Sequence, residues 1–149
     1  MRSLLRTIMV GSALLGVMPA NHLAAQANPF LGTWKLDAAK SVTVKMEPAG
    51  AAFKITVSGV AADDKPISMS YTMAYDGKDY PVTGSADYDA VSAKMLNTLT
   101  RHTVRKKGGK EVQTVHSVLS ADGKHYTSTT TGANAKGEKI QSTSVFDKQ

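Results

Sequence analysis

From Thr33 onward, apolar and polar side chains alternate with a period of two, and no stretch keeps the apolar stripe of a helix. Phe53, Ile55 and Val57 alternate with Lys54, Thr56 and Ser58, and Ile67, Met69, Tyr71, Met73 and Tyr75 alternate with Ser68, Ser70, Thr72 and Ala74. Successive side chains of a strand point to opposite faces, so the second run puts its large groups on one side of a sheet. Short β-branched runs separated by glycine-containing turns predict strands over 33–37, 42–48, 52–60, 66–75, 79–83, 90–96, 98–106, 111–119, 125–132 and 139–147. The expected fold is all-β, an antiparallel up-and-down meander of about 8–10 strands. An open meander of that length leaves two unpaired edges, so it is expected to close into a β-barrel, complete or partly open.

Turn chemistry suggests the register. Asp76-Gly77 reads as a two-residue hairpin turn, which needs positive φ, and predicts Met73 opposite Tyr80 and Tyr71 opposite Val82. Asp122-Gly123 sets Leu119 opposite Tyr126 in the same way. A turn at Gly108-Gly109 sets Arg101 opposite His116 and His102 opposite Val115. Leu99, Arg101, Thr103, Arg105, Val112, Thr114, His116 and Val118 would then share a face, with the two histidines on opposite sides of the sheet; one residue of slippage reverses this. The later strands are poor in bulk: Thr127 to Thr131 is nearly all hydroxyl, and the last strand offers Ile140, Val145 and Phe146. Either one side of that sheet faces water, or the interior holds a polar, partly hydrated cavity.

The N-terminus carries Arg2 and Arg6, then an apolar run from Ile8 to Met18, then Pro19 and Ala25-Gln26-Ala27. That order is the pattern of a secretory signal peptide over 1–27, with cleavage after Ala27 and a periplasmic or secreted destination. The run is shorter than the roughly 20 residues of a membrane span, so no membrane span is expected. Cleavage leaves 122 of the 149 residues, enough for one domain over 28–149. Cysteine is absent, which excludes disulfides, thiolate metal sites and a lipoprotein anchor. Loss of Arg2 and Arg6 lowers the formal charge from +6 to +4, too mild for a nucleic-acid-binding face.

Gly32-Thr33-Trp34, with Trp34 the one tryptophan, resembles the Gly-x-Trp opening of lipocalin-like proteins. The resemblance implies that Gly32 and Trp34 close the barrel floor. Further segments are similar to a group of small exported bacterial proteins of unestablished function: Lys35-Leu36-Asp37 with Ala39-Lys40-Ser41, Tyr75 to Gly84, Lys107 to Lys110, and Gly132 to Glu138. It implies fold more than activity. The superfamily pattern places an arginine near the last strand against the tryptophan; here no arginine follows Arg105, and Lys139 or Lys148 would have to stand in.

The expected function is binding of a small, largely apolar or amphiphilic molecule in a cavity lined by Ile67, Met69, Tyr71, Met73, Tyr75, Tyr80 and Val82, with Arg101, Arg105 and His116 as a cationic patch for a carboxylate. The bland alternative is a filled core, with those cations on a solvated outer face. A barrel enzyme would use a cavity tyrosine or histidine as general acid or base. An envelope-interaction module would set the basic hairpin Arg105 to Lys110 weakly against an anionic surface. The sequence leans away from an enzyme: no serine sits in a glycine-framed elbow, and no glycine-rich loop would cradle phosphate. Asp63-Asp64 and Asp87-Tyr88-Asp89 read as turn formers, and the latter lacks the further oxygen ligands of a calcium loop. Neither a metal nor a cofactor is called for.

Overall fold

The computed structural model describes residues 28–36, 42–61 and 64–149. Residues 1–27, where the signal peptide is read, as well as Asp37, Ala39-Lys40-Ser41 and Asp63, lie outside them. The strands are β1 (Gly32–Leu36), β2 (Thr43–Ala49), β3 (Ala52–Val60), β4 (Pro66–Met73), β5 (Tyr80–Pro81), β6 (Ala90–Asn97), β7 (Thr100–Lys107), β8 (Lys110–Leu119), β9 (His125–Ala133) and β10 (Lys139–Lys148). They form one antiparallel sheet in the order β4-β3-β2-β1-β10-β9-β8-β7-β6-β5, in which β1 pairs with both β2 and β10. The meander is thereby rolled into a nearly closed barrel with no helix among the described residues.

The two edges, β4 and β5, meet at a single bridge. Ser70 and Thr83 exchange both backbone hydrogen bonds at 3.2 Å, and the Thr83 hydroxyl donates to Ser70 O at 3.1 Å. The rest of the seam is unsealed. Asp76-Gly77 does not form the expected two-residue hairpin. Asp76 bridges Lys94 on β6, Gly77 N donates to Ala93 O, and the Asp76 carboxylate accepts Lys78 N. The Asp76 side chain and β6 thus draw the loop away from β4, so Met73–Tyr80 and Tyr71–Val82 are not strand pairs, although the Ser70–Thr83 bridge keeps the same register.

The other turns explain one success and one error. Leu119 does pair with Tyr126 across the Asp122-Gly123 turn. At Gly108-Gly109 the turn is as expected, with Lys107 opposite Lys110 and Lys106 opposite Glu111, but Arg105 then faces Gln113. The skipped residue, Val112, is the extra residue of a β-bulge. Beyond it every pair is displaced by one: Arg101 lies opposite Ser117 and His102 opposite His116. The bulge needs room on β9, where Gly132 sits with φ at 138°; a Cβ there would lie 2.1 Å from Val112 O.

The core is densest at one end of the barrel. Asn28 to Leu31 fold under it, with Asn28 Oδ1 accepting Phe30 N and Asn28 O accepting Leu31 N. Phe30 and Trp34 are wholly buried there, and the indole N–H donates to Phe30 O at 2.9 Å. Tyr126 meets Trp34 edge-on at 4.9 Å and stacks on Phe146 at 4.5 Å. Lys148, paired with Trp34, holds its ammonium 5.5 Å from the indole centroid, where its attraction to the ring face is electrostatic. Gly32 makes that approach feasible: a Cβ there would press on Lys148 Cε at 3.2 Å. Lys139 pairs with Ala133, remote from the indole.

Candidate functional site

Above the floor the barrel contains a cavity of about 130 Å³. Period-two alternation on β4 brings Met69, Tyr71 and Met73 to it, and Tyr75 follows just beyond the strand. On β7 the same alternation brings Arg101, Thr103 and Arg105, while Ser117, Tyr126, Ser128 and Phe146 complete the far wall. That far wall is the bulk-poor half of the barrel. Its small hydroxyl side chains leave the space that the large residues of β3 and β4 do not fill, and Ser117 and Ser128 satisfy each other at 3.1 Å.

Arg101 dominates the floor end. Its guanidinium carbon lies 4.6 Å from the Phe30 ring centroid and 5.4 Å from that of Tyr126. One terminal nitrogen reaches Met46 Sδ at 3.3 Å and the Tyr75 hydroxyl at 3.5 Å, both marginal contacts, and Nε is buried without any hydrogen-bond partner. No carboxylate among the described residues pairs with it. Burial works against its charge, and the net rise of its pKa above the ordinary arginine value comes from the facing Tyr75 and Tyr126, which pull on it only once they ionise at strongly alkaline pH. It is therefore a fixed cation in a small apolar chamber.

Arg105, four residues further along the same face of β7, is held differently. It donates to Gln113 Oε1 at 2.9 Å and lies 4.6 Å over the Tyr88 ring. Gln113 is only 2 % exposed and is oriented by its own amide, which donates to Ala133 O. Tyr88, from the β5–β6 loop, caps this end, its hydroxyl reaching Met69 Sδ at 3.0 Å. Burial pushes the Tyr88 hydroxyl up to about 12 against the opposing influence of Arg105. Burial likewise raises Tyr71, against Arg105 and Arg101, and Tyr126, against Arg101. All three phenols are neutral donors at ordinary pH.

Four expected cavity residues, Ile67, Tyr80, Val82 and His116, lie outside the cavity lining, with Val82 packed at the edge of the core. The bulge turns His116 outward, where it is exposed beside His102, so it is not part of the cationic patch; Thr114 and Val118 point outward with it. Tyr80 packs at the edge of the core and donates to Asp76 Oδ2 at 2.9 Å, outside the cavity lining. Gln113 and Tyr88 were not anticipated. Gln113 became legible only with the bulge, whose signal in the sequence is a glycine, Gly132, inside a threonine-rich strand.

The remaining candidates are partnered within the protein. Asp87 accepts Ala135 N and Asp89 accepts Gly108 N, so both carboxylates tie their loop to hairpins distant in sequence rather than closing a local turn. Of the basic hairpin, Arg105 faces inward and Lys106 pairs with Asp79 at 2.8 Å. His125 bonds Asp147 at 2.5 Å on the outer surface. No group of three metal-ligating side chains occurs among the described residues, and no helix among them is long and apolar enough to cross a membrane. The chain matches no known protein family and no curated protein sequence.

Proposed function

We propose that the protein is an exported, lipocalin-like carrier that binds a small, largely apolar molecule bearing a carboxylate inside its barrel. The observation that carries this reading is Arg101. A buried cation without a counter-charge is costly, and a chain free to vary would replace it by an apolar side chain unless something anionic compensates it. A carboxylate accepting from Nε and the terminal nitrogens would supply both the missing charge and the missing hydrogen bond, in the paired geometry that suits a guanidinium. The Tyr71 hydroxyl, which faces the same cavity, can donate as well.

The nearly closed barrel, the buried Gly-x-Trp floor and the Lys148 ammonium over the indole are compatible with the lipocalin-like resemblance, and the charged-then-apolar N-terminus supports export. The enzyme reading has less behind it. No imidazole lines the cavity, and the tyrosines Tyr71, Tyr88 and Tyr126 hold their protons too firmly for general-base work near neutrality.

The test is native mass spectrometry of protein expressed with its N-terminal segment and purified from the exported fraction. The expected result is a mature chain beginning at Asn28, carrying an acidic adduct that dissociates on denaturation and is missing from Arg101→Ala. A bare mature mass, together with no calorimetric response to carboxylates at millimolar concentration, would sink the proposal.

A further inference from the structure

Resting on the carboxylate reading above, we infer that the ligand is a compact aromatic carboxylate, one ring wide, rather than a long-chain fatty acid. Room is the first reason. The cavity holds about 130 Å³, near the size of the roughly 150 Å³ cavity that accepts a benzene ring and well below the 300–1,000 Å³ of pockets for drug-sized ligands. An extended acyl chain of twelve carbons does not fit in that space.

Shape is the second. A fatty acid seated by its head on Arg101 would have to run up the barrel axis, and that path ends at Arg105, clamped by Gln113 and covered by Tyr88. Tyr88 is only 5 % exposed and fastened to Met69. The chamber between the two arginines is therefore short and bounded at each end by a cation–ring pair.

Lining chemistry is the third. Tyr71, Tyr75, Tyr126 and Phe146 present rings to the cavity, and Met69 and Met73 present thioethers. Edge-to-face contacts between rings, and sulfur against a ring edge, favour an aromatic guest over an aliphatic one of equal area. The carboxylate faces Arg101 at the floor, and the ring occupies the space between β4 and the small hydroxyls of Thr103, Ser117 and Ser128.

Calorimetric titration of the mature protein with benzoate, benzyl alcohol and dodecanoate tests this, using the wild type, Arg101→Met and Val115→Phe. Val115 lines the cavity, so the added ring fills it while leaving Arg101 in place. Benzoate is expected to bind the wild type one to one, benzyl alcohol and dodecanoate at least about tenfold more weakly. Both variants should lose at least about tenfold in benzoate affinity, Arg101→Met for want of charge and Val115→Phe for want of space. Dodecanoate binding more tightly than benzoate, and weakening in Arg101→Met, would overturn the size and ring inference while leaving the carboxylate reading intact. Failure of both acids, or indifference of both to Arg101→Met, would overturn the two together.

Discussion

Replacing Arg101 by methionine should make the ligand-free protein more stable. The guanidinium sits in a chamber walled by Phe30, Tyr126, Met46 and Tyr75, with Nε unbonded and no described carboxylate beside it. Exchanging buried ionic groups for apolar ones of similar volume gains roughly 1–4 kcal/mol. Two opposing losses must be subtracted. The contacts with the Phe30 and Tyr126 rings are worth about 0.5–1 kcal/mol each, and the contacts to Met46 Sδ and the Tyr75 hydroxyl, at 3.3 and 3.5 Å, add little. The net expectation is a gain on the order of 1–2 kcal/mol, or a rise in Tm of roughly 3–8 °C for a domain of this size. Urea unfolding measures it as a higher midpoint at unchanged m. Adding a bound carboxylate should close or reverse the gap, because at a hundredfold excess over its Kd the wild type gains about 2.7 kcal/mol, whereas a variant that binds at least tenfold more weakly gains no more than about 1.4 kcal/mol. A ligand-free Arg101→Met protein less stable than wild type by more than about 1 kcal/mol would refute the reasoning, since Arg101 would then be a structural prop.

Three further outcomes follow from the packing and the buried phenols. Gly84→Ala should open the seam, because Gly84 has φ at 87° and its Cβ would lie 2.1 Å from Ser68 O; hydrogen exchange at Ser70 and Thr83 would accelerate while the β7–β8 amides stay protected. Trp34→Phe should cost about 2–3 kcal/mol, from the lost indole hydrogen bond that leaves Phe30 O unsatisfied together with a partial cavity, as read from thermal unfolding. Tyr71, Tyr88 and Tyr126 have folded pKa values raised above their unfolded ones, so the stability they contribute is fully present below about pH 10 and is lost as pH climbs through the folded values, near 12 for Tyr88. Absorbance at the phenolate band should therefore show these phenols ionising late and together with alkaline unfolding.

The strands were readable because alternation is a local signal, and it is strong wherever one face is buried. Phe53, Ile55 and Met73 obey it, and all three are core. The Leu119–Tyr126 register was readable because Asp122-Gly123 fixes it within a few residues. The position of His116 was not, since register propagates: the Gly108-Gly109 turn is where the sequence puts it, yet a single inserted residue, Val112, inverts the facing of everything on β8 beyond it. What permits that insertion is Gly132, far along the chain and across a strand pair. Tyr80 was misplaced for a similar reason, because a side chain and a neighbouring strand, Asp76 and β6, competed with the hairpin for the same backbone. Arg101 and the four cavity residues of the β4 run were found because no distant contact altered their facing.

The unsealed seam gives the barrel an uneven stiffness. Most other strand pairs are joined by a ladder of several residue pairs; parting β4 from β5 breaks the two backbone bonds of Ser70 and Thr83 and the Thr83 hydroxyl's bond to Ser70 O, a net cost of roughly 2–4 kcal/mol. Thermal fluctuation will therefore spend itself there, and a wall that bears Met69, Tyr71 and Met73 is the one that gives. Pro66 and Pro81, which lack a backbone donor, stand on the two strands so exposed. A guest could be admitted sideways through a hinged slit, while the edges laid bare in that moment remain poor templates for another chain.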